Sequence, residues 1–225
     1  MKIVSVAVDG PSGAGKSTLA RQAASHLGYI YVDTGAIYRT VALYGSRHGI
    51  RADNASEISP MLCDIHVDLS YNSVGVQRMI LNGEDVSELI RTPEISMLTS
   101  AVSAVPEVRA FLLEMQRELA RTKSVIMDGR DIGTVVLPNA TVKIYLTAAA
   151  EARAQRRCAE LRAKGINVSF EDVLKDVQER DYNDSHREIS PLKRADDAVI
   201  LDTTCLDLEQ SLDVLLKLIR EGIAD

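Results

Sequence analysis

Ile3-Val4-Ser5-Val6-Ala7-Val8-Asp9 runs directly into Gly10-Pro11-Ser12-Gly13-Ala14-Gly15-Lys16-Ser17-Thr18, and the reading of this junction decides the fold. Its first half is a short apolar, β-branched run, the pattern of a strand buried on both faces of a parallel sheet. Its second half satisfies G-x-x-x-x-G-K-[ST] in full, and the sequence from Lys16 to about residue 27 reads as helix. Strand, glycine loop and helix in that order make a phosphate-binding loop. Glycines let successive amides turn inward, and the helix N-terminus adds partial positive charge. Gly10, Pro11, Ser12, Gly13, Ala14, Gly15, Lys16, Ser17 and Thr18 are therefore the expected polyphosphate site. Lys16 would reach the β- and γ-phosphates, and the Ser17 hydroxyl would ligate Mg²⁺.

Outward from this loop, residues 29–32 read as a second short strand and residues 35–48 as a helix with Ile37, Val41 and Leu43 on its apolar side. Between about residues 64 and 89 the texture changes. Residues 65–69 and 74–81 alternate apolar and polar, with turns at Asn72-Ser73 and Asn82-Gly83, which predicts a small antiparallel hairpin unit. Thr92-Pro93 then offers an N-cap with proline at the first helical position, and helical texture runs on, broken at Pro106, to about residue 121. Buried-type strands are expected at 124–127, 142–146 and 198–201. Helices are expected at 149–164, from Ser169 with a capping box to Asp172, and from Asp207 to about residue 222. Strand–helix alternation with one antiparallel interruption predicts an α/β fold, a parallel sheet flanked by helices, with the small β insertion at about 64–90.

Composition narrows the class. The 225 residues are 46% hydrophobic and 26% charged, which is ordinary for a globular chain with a sizeable core. A net charge of −6 argues against a general binder of nucleic acid polymers. Cys63, Cys158 and Cys205 form neither a disulfide framework nor a zinc motif, so a reducing cytoplasm is the natural compartment. The apolar stretch before Asp9 is too short for a signal segment, and no run approaches the ~20 residues that span a bilayer. A monomer is expected, since no long apolar stripe lacks a core role.

A phosphate loop does not separate kinases from switches. Switch GTPases need D-x-x-G and N-K-x-D, and this sequence has neither. It has instead a recurrent set of arginines: Arg39, Arg109, Arg130, Arg153, Arg156, Arg157, Arg180 and Arg187. Converging guanidiniums stabilise the charge that develops on phosphate oxygens during transfer. Arg130 and Asp131 follow the strand at 124–127, at the carboxyl end where open α/β sheets bind ligands. Arg180, Asp184 and Arg187 share one helix face, as either a site or a plain salt-bridge stripe. Arg153 and Arg157 lie one turn apart, next to a turn at Lys164-Gly165-Ile166-Asn167.

Several segments together resemble the bacterial-type cytidylate kinases, a family of P-loop nucleoside monophosphate kinases. They are Asp9 to Ser17 in the loop, Asp33-Thr34-Gly35-Ala36-Ile37-Tyr38-Arg39, Gly83-Glu84-Asp85-Val86-Ser87, Ile90-Arg91-Thr92, Asp128-Gly129-Arg130-Asp131-Ile132-Gly133-Thr134, and Glu179-Arg180-Asp181-Tyr182-Asn183-Asp184-Ser185-His186-Arg187. The resemblance implies ATP with Mg²⁺ as donor and CMP or dCMP as acceptor. It implies that Ser100, Arg109 and Asp131 read cytosine and that Arg180 and Asp184 contact the sugar. It assigns the acceptor phosphate to Arg39, Arg130 and Arg187, with Tyr38 lining the pocket and the Thr34 hydroxyl a further donor. Lys16, Arg130, Arg153 and Arg157 would be catalytic, the last two as lid arginines in a helical lid at about 153–169. The insertion resembles the family's acceptor-side sheet.

Cytosine chemistry suits those residues. Its N4 amino group donates while N3 and O2 accept, so a carboxylate and an arginine are complementary partners. Uracil would turn O4 toward the Asp131 carboxylate. Two rivals stay open: a kinase for an acceptor of the shikimate or gluconate type, and a regulatory module that binds ATP as a conformational signal.

Overall fold

A computed structural model describes residues 3–73, 75–163 and 165–224 of the chain. Val74, expected to open a strand, and Lys164, expected in a turn, lie outside the described residues.

The junction that opens the sequence is β1 (Ser5–Asp9) followed by α1 (Lys16–Leu27). β2 (Ile30–Asp33) and α2 (Thr34–Arg47) come next. The insertion carries β3 (Val67–Tyr71), β4 (Gln77–Leu81) and β5 (Glu84–Asp85), and after it come α3 (Pro93–Val102) and α4 (Pro106–Thr122). β6 (Val125–Gly129), β7 (Val142–Thr147) and β8 (Val199–Asp202) complete a five-stranded parallel sheet in the order β2-β6-β1-β7-β8. α5 (Ala150–Ala163) and α6 (Phe170–His186) lie between β7 and β8, and α7 (Leu208–Ala224) follows β8. Both faces of the sheet are covered, which is why its strands read as unbroken apolar runs. Val6 and Val8 pack with Leu19, Ala20, Leu215 and Ile219 on one side. Ala7 packs with Val32, Ile37, Val41 and Met127 on the other.

The strands of the insertion form a second sheet, all antiparallel. Asn82 and Gly83 join β4 to β5 with φ of 49° and 86°, the left-handed pair that a tight hairpin turn requires. The helix expected from Ser169 is capped by that residue, whose Oγ accepts the Asp172 amide at 3.0 Å. α5 and α6 hold a small apolar core of their own, formed by Ala154, Cys158, Val173 and Val177. This hairpin is thus packed as a unit apart from the sheet.

Two features were not expected. Residues Ala52–Asp64 form a 3₁₀ stretch around Pro60, where only Ala55 and Ile58 are buried, so no helical apolar period marks it. Ile132–Val136 closes a single π-helical turn directly after Asp131. No single helix among the described residues is long and apolar enough to cross a membrane.

Candidate active site

A cleft of about 1000 Å³ opens over the carboxyl ends of the sheet strands, with the loop after β1 on its floor. Gly10 takes a φ of 152°, and a Cβ there would stand 1.9 Å from the Leu146 carbonyl oxygen. Only glycine lets the chain turn out so close beneath β7. α1 starts at Gly15 with no side-chain cap and no acidic residue in its first turn. Its first amides and the positive end of its dipole therefore face the loop. Lys16 folds back so that Nζ donates to the Pro11 carbonyl at 2.7 Å. The ammonium is buried, and burial, reinforced by the charge of Arg130, pulls its pKa well below the usual lysine range. An anion placed beside it would restore the charged form.

At the foot of α1, Ser17 Oγ donates to Asp128 Oδ2 at 2.8 Å, and the Tyr31 hydroxyl donates to the other oxygen, Oδ1, at 2.8 Å. Burial, and then the charge of Asp33, pushes the Asp128 carboxyl above the usual range. This pair of hard oxygens, one of them on a buried carboxylate, suits a divalent cation. Among the described residues no group of three or more His, Cys, Asp or Glu forms a protein cage. So small a donor set suits a cation that keeps water and phosphate oxygens as most of its ligands, as Mg²⁺ does.

The opposite end is assembled from side chains of several elements. Arg109 of α4 pairs with buried Asp131, donates to the Ser103 carbonyl at 3.1 Å, and lies 5.5 Å above the centre of the Tyr38 ring. Arg187 Nη2 stands 3.7 Å from the second Asp131 oxygen. Arg130 Nε donates to Asp184 Oδ2 at 2.6 Å, and Arg39 Nη2 to Asp33 Oδ2 at 2.9 Å. Among the described residues, Arg39 Nε and Arg187 Nη2 are buried without a hydrogen-bond partner. Thr34 is committed to the Asp128 carbonyl at 2.7 Å, while Ser100 is exposed on the cleft wall with Arg180. Arg180, Asp184 and Arg187 all line the cleft.

The cytidylate kinase family model matches residues 6–221. The chain belongs to the cytidylate kinase family. It is 51% identical over 216 residues to a cytidylate kinase of Geobacter sulfurreducens, covering 96% of this chain and 92% of the relative. It is also 51% identical over 227 residues to one of Flavobacterium johnsoniae, covering 99% of each. A crystal structure of an uncharacterised protein from Eubacterium ventriosum shares the fold, with a TM-score of 0.52 at 12% identity over 98% of this chain and 99% of that one.

Two arginines expected in the lid are paired with carboxylates of their own hairpin. Arg153 is buried behind the loop, with Nη1 on the Ser12 carbonyl at 3.0 Å and its two terminal nitrogens on the two oxygens of Asp181 at 2.9 and 2.6 Å. Arg157 is exposed and pairs with Glu160 at 3.1 Å. Spacing by one turn aligned these arginines with each other but did not say which face of α5 meets the cleft. That face carries Arg156, whose guanidinium donates to the Thr203 carbonyl at 2.5 Å.

Sequence reasoning also passed over two carboxylates. Asp128 holds Ser17. Asp9 accepts the amides of Ile132 and Gly133 at 2.8 and 2.7 Å, and burial raises it to about 6. Each is an acidic residue closing a buried apolar strand at the carboxyl edge of the sheet, and that signal was there to be read.

Proposed function

We propose that the chain transfers the γ-phosphate of ATP to CMP or dCMP, giving ADP and the corresponding diphosphate. One observation carries this reading: a single cleft has a phosphate loop at one end and, at the other, a side-by-side Arg109–Asp131 pair flanked by guanidinium nitrogens that lack a hydrogen-bond partner. The pair offers one acceptor and one donor in a row, the complement of cytosine N4–H and N3. Arg39 and Arg187 would take the acceptor phosphate, for which a buried guanidinium nitrogen without a hydrogen-bond partner is a ready donor. Arg180 and Asp184 would meet the sugar. Beyond the loop the cleft continues to Arg156, Thr203 and Leu206, which leaves room for the adenosine of ATP.

Transfer proceeds by positioning and electrostatics without a covalent intermediate. Lys16 and the amides at the start of α1 hold the β- and γ-phosphates, and Arg130 faces the oxygens that gain charge. Ser17, supported by Asp128, would hold Mg²⁺, which neutralises phosphate charge when bound. The insertion at 64–90 serves as the acceptor-side subdomain, and the α5–α6 hairpin, at about 153–169, as a lid that excludes water. Arg157 is free to swing with that hairpin, whereas Arg153 supports the loop from behind. Three unpaired cysteines and a net charge of −6 suit a cytoplasmic monomer with no nucleic acid polymer as partner.

The test is a coupled assay with ATP, with and without Mg²⁺, across CMP, dCMP, UMP, AMP, shikimate and gluconate. CMP and dCMP should be the preferred acceptors. Turnover of shikimate or gluconate in their place, or tight ATP binding with no transfer to any acceptor, would sink the proposal.

A further inference from the structure

The free edge of the parallel sheet is closed by two side chains of the insertion. Ile30 donates its amide to the Ser124 carbonyl on the β6 side, so Tyr31 and Asp33, which alternate with it, turn their peptide groups to the outer edge of β2. Among the described residues no strand of the insertion pairs with β2. Instead the Tyr71 hydroxyl donates to the Tyr31 carbonyl at 3.0 Å. Gln77 Oε1 accepts the Asp33 amide at 2.8 Å, and Gln77 Nε2 donates to the Asp33 carbonyl at 3.4 Å. Tyr71 and Gln77 are directly opposite each other in the β3–β4 ladder, so the clasp is one rigid pair of residues. The orientation of the amide is set by its partners, since an N–H needs the oxygen and a carbonyl needs the nitrogen.

Asp33 transmits that grip. Its Oδ1 accepts the Ala36 amide at 2.8 Å, capping α2, and its Oδ2 accepts Arg39 Nη2 at 2.9 Å. There is little play, because a Cβ on Gly35 would lie 3.1 Å from both Arg39 Nη1 and Asp33 Oδ1. Where Gln77 holds the Asp33 backbone, Arg39 is aimed. We infer that Gln77 is a positioning residue for the acceptor: through Asp33 it sets the guanidinium of Arg39 for the acceptor phosphate. This rests on the function proposed above. Tyr71 grips the same strand at Tyr31, whose side chain serves Asp128 and not Arg39.

The two halves of the clasp therefore have separable effects. Steady-state kinetics with ATP and CMP should be measured for the wild type, Gln77→Leu and Tyr71→Phe, with the thermal midpoint of each. Gln77→Leu removes both contacts to Asp33, and the one from Nε2 to Met79 Sδ, at nearly constant volume. It should raise KM for CMP about five- to tenfold, the scale of a misaligned charged hydrogen bond, and leave KM for ATP within about twofold. Tyr71→Phe should leave KM for CMP within about twofold. The midpoint should fall by no more than about 2–4 °C in each variant, the cost of one hydrogen-bonding group in a chain of this size. A lower midpoint with unchanged KM for CMP would make Gln77 a purely structural residue and overturn the inference. Equal rises in both KM values would overturn it too. A wild type that does not phosphorylate CMP would instead refute the proposed function.

Discussion

The two ends of the cleft are built in opposite ways. The donor end is made from one contiguous stretch, residues 10–18, and its shape is a property of the backbone: left-handed glycines, uncapped amides and one folded-back lysine. The acceptor end is made from side chains of α2, α4, α6 and the loops after β6 and α6, held to one another by ion pairs. A phosphate needs only amides and positive charge, which a single turn of chain can supply. A pyrimidine base must be told from its neighbours by matched donors and acceptors, and those have to be gathered from distant parts of the chain.

That contrast can be broken by experiment. The largest effect should come from Lys16→Ala, which removes the ammonium group of the donor end. Turnover should fall about 10²–10³-fold, the scale of a lost transition-state donor, and equally for every acceptor tested. An acceptor-dependent loss would mean that the two ends are not separable.

Gly10→Ala probes the backbone of the same end. The new Cβ meets the Leu146 carbonyl, so denaturant unfolding should show a loss of about 3 kcal/mol, combining overpacking with backbone strain. A neutral result would show that the turn has slack.

At the other end, Asp131→Ala should weaken kcat/KM for CMP by about 1.5–3 kcal/mol and leave KM for ATP unchanged. Loss of discrimination against UMP should accompany it. Unchanged kinetics with both pyrimidines would remove Asp131 from base recognition.

The smallest effect concerns Asp9, which belongs to both ends. Its carboxyl titrates at about 6 in the folded chain against an ordinary 3.8, because it is buried. Between those values the folded chain keeps a proton that the unfolded chain has released. Its contribution to stability is therefore full below about pH 4 and is lost as pH rises through 6. Wild type should lose about 1–2 kcal/mol relative to Asp9→Asn between pH 4 and 6, measured by urea unfolding at each pH. A parallel pH dependence of the two proteins would show that Asp9 is not raised.

The same contrast explains what could be read from the sequence. The donor end is local in the chain, so motif and flanks disclosed it, together with the strands that carry it. The antiparallel insertion was visible through its alternation and its Asn82-Gly83 turn. The lid role of Arg153 and Arg157 came from the resemblance, because helical spacing fixes their relative direction but not which face of α5 meets the cleft. Asp181, 28 residues along, decides where Arg153 goes. The stretch Ala52–Asp64 left no trace because it buries too little to impose a period.

Asp9 also sets a gauge. The carboxylate of the residue immediately before the loop grips the two amides immediately after Asp131. The gap between the phosphate loop and Asp131, the proposed base reader, is thereby measured by a single short side chain within the rigid centre of the sheet. Lengthening the insertion or the α5–α6 hairpin would change how substrates enter and leave. It would not change the distance the phosphoryl group has to travel.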